Sequence, residues 1–255
     1  MKVLHVVASL SRKWGGPVAV VKGLTEQLVR KGIDVTIFSP IGRGNVKDVI
    51  KPEGTEVCFF EQSVISRIWT AHSFDLKRAL CQEVGKFDII HIHEIWHYPQ
   101  FAAYHAAKKT NTPYIITIHG ALGYWCLNYK AFKKKIFSIF IQKRILKEAA
   151  ALHALTKEEV KHIRHFGVNN RIECIPNGIN LEEFQNLPPK NELENIYPQL
   201  KDKKIILFLG RIHPIKGLDL LALAFSKIAK DRDDIYLLIV GPDENCKGKI
   251  ENILD

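Results

Sequence analysis

The stretch that most restricts how this chain can fold is Ile205–Gly217, IILFLGRIHPIKG. Its first five residues are apolar without a break, and a run of that length is predicted to be a parallel strand buried on both faces. Gly210 ends the run, Arg211 and Lys216 follow with Pro214 stiffening the loop between them, and Gly217 closes it. Behind the loop, LDLLALAFSKIA places Leu218, Leu221, Ala222, Phe225 and Ile228 at helical spacing. A strand, a glycine turn, two cations and a helix start suit a phosphate or diphosphate. A surface loop with two solvated cations fits the same spacing.

The remainder of the chain repeats this alternation of strand and helix. Val3–Ala8 reads as a buried strand, Gly15 and Gly16 as the turn after it, and Pro17 as the first turn of a helix that Gly32 ends. Ile33–Ser39 is the next strand. The opening has the form of a dinucleotide site but lacks G-x-G-x-x-G, and Gly42-Arg43-Gly44 lacks the third glycine and follows the wrong strand, which disfavours a nicotinamide or flavin enzyme. A short strand at Val57–Phe60 and a helix over Phe74–Val84 lead to DIIHIHEIWH, residues 88–97.

Strand periodicity puts His91 and His93 on one face, and with Glu94 and His97 they have the look of metal ligands. Their place at the end of a strand explains polar cleft-lining residues equally well, no Cys or Asp group completes the set, and no metal is expected. After a helix at Phe101–Lys109, the strand Tyr114–Ile118 ends at His119-Gly120, where a side chain is placed to enter a cleft. Leu152–Leu155 and Ile172–Ile175 are further strands. Between them Thr156 and Glu159 form a capping box for a helix that Gly167 ends. Ile175 runs into Pro176-Asn177-Gly178. Residues 181–203 are polar, carry Pro188, Pro189 and Pro198, and read as a connection between a domain at 1–180 and another beginning at 204. Ile235–Val240, ending at Gly241, is the second strand of that later domain.

Composition narrows the partners. The formal net charge of +10 calls for an anionic partner without choosing which. Five scattered cysteines without a C-x-x-C pair fit reduced thiols in the cytoplasm. No run approaches the ~20 apolar residues that span a bilayer, so any membrane contact is expected to be peripheral. The candidate for it is residues 130–147, with seven Lys or Arg, no acidic residue and apolar residues interleaved; a packed helix with a solvated basic side is the competing reading. No nucleic-acid-binding motif accompanies the charge.

Taken together, Gly15-Gly16 after the first strand, His119-Gly120, Ile175-Pro-Asn-Gly-Ile-Asn, Gly210-Arg211 with Lys216-Gly217, and Val240-Gly241 resemble the retaining glycosyltransferases of family 4 (group 1). The resemblance implies the α/β GT-B fold: a Rossmann-like parallel-sheet domain on the acceptor side and a second, here truncated, Rossmann-like domain that binds the nucleotide-diphosphate sugar. It implies that Arg211, Lys216 and the Gly15-Gly16 turn bind the donor diphosphate, that His119 contacts the donor sugar, and that no metal cofactor is needed. His93, Asn177, Gly178 and Gly241 would line the cleft. The acceptor would be a glycan or a lipid-linked sugar at the inner face of the membrane. The family's Glu-x7-Glu element is missing from these residues, so the chain alone is expected to be inactive. A truncated anion-binding or interaction module is the alternative.

Overall fold

The computed structural model describes residues 1–42, 48–128 and 141–254. Arg43 and Gly44, and most of the basic stretch 130–147, lie outside the described residues. The chain divides into two compact units, residues 1–180 and 181–255.

In the first unit, β1 (Lys2–Val6) is followed by α1 (Gly16–Arg30), β2 (Asp34–Ile41), β3 (Glu56–Glu61), α2 (Phe74–Glu83), β4 (Ile89–His93), α3 (Tyr98–Thr110), β5 (Tyr114–Thr117) and α4 (Tyr124–Asn128). Next come α5 (Lys143–Lys147), β6 (Ala151–Ala154), α6 (Lys157–His165) and β7 (Ile172–Cys174). The strands form one parallel sheet in the order β3-β2-β1-β4-β5-β6-β7.

Local chemistry sets the helix ends. Gly15, at φ 77°, caps α1, and Pro17 sits in its first turn. The Ser73 hydroxyl accepts from the Leu76 N–H at the start of α2, and Asn111, left-handed at φ 59°, stops α3. Alternation along the strands sends Leu4, Val6, Ile90, Ile92, Ile116 and Leu152 to one face, against Leu76 and Leu80 of α2 and Ala103 and Ala107 of α3. Ile145 and Leu146 of α5 are buried in the same core, so the described end of the basic stretch is a packed helix. On the opposite face Val7, Val35 and Ile37 pack on Val18 and Val21 of α1.

In the second unit, residues 181–203 hold short 3-10 turns and a helix, α7 (Lys190–Ile196). Strands β8 (Lys204–Leu209) and β9 (Ile235–Val240) pair in parallel, with α8 (Leu218–Ala229) between them and α9 (Lys247–Leu254) after. Burial of β8 on both faces, expected from its unbroken apolar run, is not what the strand shows. Ile205, Leu207 and Leu209 are 38%, 57% and 75% exposed. The helices cover the face that carries Phe208 and Ile239, where Leu218, Ala222 and Ile250 form the core. The other face of the β8–β9 pair, which carries Leu207 and Leu209, is left exposed among the described residues.

Candidate functional site

The chain leaves β1 toward β2 on one side, while β4 and β5 extend the sheet on the other. The loops after β1 and β4 therefore part at the carboxyl ends of their strands and leave a crevice. The loop after β1 brings Trp14 across it: the indole Nε1–H donates to both carboxylate oxygens of Glu94, at 2.9 and 3.1 Å, and the ring meets His97 edge-on at 5.7 Å between centroids. Burial raises the Glu94 pKa from 4.5 to about 7, and the Trp14 hydrogen bond offsets part of that rise. Glu94, Trp96 and His119 all hold left-handed backbone, at φ 66°, 75° and 53°. Such conformations cost of order 1–3 kcal/mol each and cluster at functional sites.

Behind the crevice the sheet carries a lattice of histidines. The parallel register sets His5 beside His91, His93 beside Thr117, and Thr117 beside His153. His5 Nδ1 lies 2.9 Å from His93 Nε2, and His93 Nδ1 lies 3.2 Å from His119 Nε2. A second chain runs from His91 Nε2 to Thr117 Oγ1 at 2.7 Å, on to His153 Nδ1 at 2.8 Å, and from His153 Nε2 to the Ile175 carbonyl at 2.8 Å. His5, His91 and His93 are 0%, 6% and 4% exposed. Burial pushes His5 down to about 3 and His119 down to about 4; burial and the neighbouring imidazoles hold His91 and His93 well below 6.5. His93, expected to line the cleft, is instead buried behind His119, whose ring stacks on it with centroids 5.5 Å apart.

The His119-Gly120 turn is fastened by Glu159. Its carboxylate accepts from the Gly120 N–H at 2.6 Å and from the Leu155 N–H at 2.5 Å, while Thr156 Oγ1 accepts from the Glu159 N–H at 3.1 Å. Only the threonine half of the expected capping box therefore forms. The Glu159 side chain reaches β5's loop because that loop offers a backbone donor at the mouth of the neighbouring strand. Asn177 and Gly178 are exposed, on a loop anchored by Ile175 to Ala154 and His153.

Of the residues weighed as metal ligands, Glu94 is held by Trp14, and His97 meets that same ring. The group with converging nitrogens is His5, His91 and His93, within 4.8 Å of one another. It contains no carboxylate or thiolate, and the short His5–His93 contact has hydrogen-bond length.

In the second unit, Gly217 is left-handed at φ 64° and caps α8, with Lys216 exposed just before it and no ion pair to Lys216 among the described residues. Arg211 pairs with Glu244 at 2.8 Å, and the His213 ring also approaches Glu244, at 3.6 Å. Gly241 is required by close approach: a Cβ there would lie 1.9 Å from the Gly210 carbonyl oxygen, so the ends of β8 and β9 meet backbone to backbone. Sequence reasoning missed His5, Trp14 and the fastening role of Glu159, and did not find the partner of Glu94. Setting VLHVV of β1 beside IIHIH of β4 would have found His5, since a doubly wound sheet makes these two strands neighbours.

Residues 14–183 match the model of glycosyltransferase family 4, and residues 189–254 match that of the glycosyl transferases group 1. The chain belongs to glycosyltransferase family 4. It is 25% identical over 260 residues to the D-inositol 3-phosphate glycosyltransferase of Jonesia denitrificans, covering 89% of this chain and 58% of that protein. Among solved structures it resembles sucrose-phosphate synthase from Thermosynechococcus elongatus, with a TM-score of 0.77, 17% identity, and coverage of 99% of this chain and 68% of the other. It also resembles HepE of Anabaena in complex with UDP-glucose, with a TM-score of 0.71, 14% identity, and coverage of 100% and 65%. These likenesses establish the GT-B type of fold, and the chain spans about half the length of the curated relatives it matches, 54–58%. No described helix is long and apolar enough to cross a membrane.

Proposed function

We propose that this family member serves retaining glycosyl transfer from a nucleotide-diphosphate sugar to a glycan or lipid-linked acceptor. The observation that carries the reading is the second unit's loop, where Arg211, Lys216 and the glycine-capped start of α8 adjoin the close contact of Gly210 and Gly241. Glycosyl transfer builds positive charge at the anomeric carbon and negative charge on the departing diphosphate, and fixed cations favour that transition state over the ground state. Arg211 is held by Glu244 until a phosphate displaces it, and Lys216 is free to meet one. In the first unit, His119 would contact the sugar, the Gly15-Gly16 turn would turn backbone N–H groups toward phosphate, and Asn177 and Gly178 would border the cleft. Protein cations would do the work of a metal in this scheme. The basic stretch 130–147 would meet an anionic inner membrane face from the cytoplasm, and no nucleic acid is involved.

In this reading turnover belongs to a chain that also carries a Glu-x7-Glu region and these 255 residues bind without turnover, which the relatives' greater length supports. Calorimetric titration of this chain with UDP should show 1:1 binding that EDTA leaves unchanged. A longer chain supplied with UDP-glucose and a lipid-linked acceptor should give product of unchanged anomeric configuration by proton NMR. Inverted product would overturn the retaining assignment, NAD binding in place of UDP would favour an oxidoreductase, and anion binding without turnover by the longer chain would favour the interaction module.

A further inference from the structure

We propose that His5 and His93 are positioning residues that hold His119 in the tautomer bearing its proton on Nδ1, so that the ring presents a hydrogen-bond donor to whatever occupies the crevice. The inference rests on the reading of His119 as a ligand-facing residue, but the tautomer is a property of this chain by itself.

A neutral imidazole has one nitrogen that donates and one that accepts, so the direction of one hydrogen bond in a chain of imidazoles fixes the next. Neutrality is enforced by the surroundings. His5 and His93 are buried, and the rings of His5, His91 and His93 stand against one another with centroids 4.1 to 5.2 Å apart, where a positive charge on any of them would be unsolvated and unpaired.

The series His5–His93–His119 can then run in two directions. If His119 donates from Nε2 to His93, then His93 donates to His5 Nδ1, and the His5 proton must sit on Nε2. That atom is fully buried and has no partner among the described residues. The opposite direction has His5 Nδ1–H donating to His93 Nε2 and His93 Nδ1–H donating to His119 Nε2, and leaves only a bare lone pair on His5 Nε2. Orphaned buried N–H groups are rarer in proteins than acceptors short of a donor, so the series runs outward from His5. His119 must accept at Nε2 and carry its own proton on Nδ1, on the side of the ring turned away from His93.

The parallel series supplies an internal standard whose direction is forced. The Ile175 carbonyl can only accept, so a neutral His153 donates from Nε2 and accepts at Nδ1 from the Thr117 hydroxyl. Thr117, with its one proton given away, accepts from His91 Nε2–H. His91 and His153 must therefore both be Nε2–H tautomers, opposite to His119.

Long-range proton–nitrogen NMR correlation on the 15N-histidine-labelled chain at neutral pH reads each tautomer directly, with ring signals assigned by loss in His119→Gln, His91→Gln and His153→Gln. The expected spectrum shows His119 protonated on Nδ1 alone, with His91 and His153 protonated on Nε2. In His93→Leu the lock is gone, and His119 should become a mixture led by the Nε2–H form; His5→Phe is the second variant should the first fail to fold. A wild-type His119 protonated on Nε2, or a His119 tautomer unmoved in a folded variant, overturns the proposal. Stoichiometric zinc that displaces the His5 and His93 N–H signals overturns it in favour of a metal centre. None of these readouts depends on UDP binding or sugar transfer, so failure here is distinct from failure of the transferase reading.

Discussion

Glu94→Gln should remove a pH dependence of stability that the wild-type chain carries. The carboxyl is largely buried against Trp14, and burial lifts its pKa from 4.5 to about 7. Between those two values the native state keeps a proton that the unfolded state has lost. The native state therefore binds more protons, and stability falls as pH rises through that window and levels off above 7. A separation of about 2.5 pH units at about 1.4 kcal/mol per unit gives about 3 kcal/mol. Glutamine keeps an acceptor for the Trp14 indole and does not titrate. The other titrating groups, the histidines included, are common to both proteins and cancel in the difference. Urea unfolding of wild type and variant, followed by circular dichroism across and beyond the window, should show the variant gaining about 3 kcal/mol on the wild type from pH 4.5 to pH 7. Parallel stability curves would refute the claim that Glu94 is buried as a protonated acid.

Glu159→Ala leaves the Gly120 and Leu155 N–H groups without their carboxylate and should cost about 1–2 kcal/mol in the same urea assay, the loss of two charge-assisted hydrogen bonds whose exposed Gly120 donor water can partly satisfy; amide exchange of Gly120 should speed up with it. Gly241→Ala forces a Cβ toward the Gly210 carbonyl and should destabilise the β8–β9 pair by about 1–3 kcal/mol, read as faster exchange of Ile206 and Leu238 amides with Ile92 unchanged. Arg211→Ala should weaken UDP binding by about tenfold or more, the loss of a charged hydrogen bond. It should shift the melting of the second unit little, because the Arg211–Glu244 pair is half-exposed.

Much of the first unit was legible because its strands are apolar runs ended by glycine or polar residues, and Thr156, Pro17 and Gly15 mark helix starts that the structure keeps. The place of His119 at a strand's mouth was legible too, because the apolar strand before it ends at His119-Gly120. What stayed hidden was pairing over distance. A single histidine inside VLHVV gives no sign of a partner 88 residues away, and the register that sets His5 beside His91 is a property of two strands at once. Glu159 was misassigned for a similar reason, since a capping box is a local pattern and the competing donors, above all Gly120, come from elsewhere in the fold. The exposure of Leu207 and Leu209 shows that an unbroken apolar run records what a strand can bury, not what lies against it.

The histidine lattice bears on how the sheet assembles. In the folded chain His5 and His119 are held down to about 3 and 4, and His91 and His93 well below 6.5. The unfolded state therefore binds more protons below 6.5, and stability falls as the pH drops from there toward 3. The same protons obstruct the route to the native state, because β1, β4 and β5 can join only around imidazoles that have already lost theirs. One pH unit below 6.5, each free imidazole is neutral about a tenth of the time, so the three buried ones in the lattice, His5, His91 and His93, are neutral together in roughly one chain in a thousand. Refolding by stopped flow should slow steeply over that single unit, because a rapid proton equilibrium leaves few chains competent for the step in which the strands join.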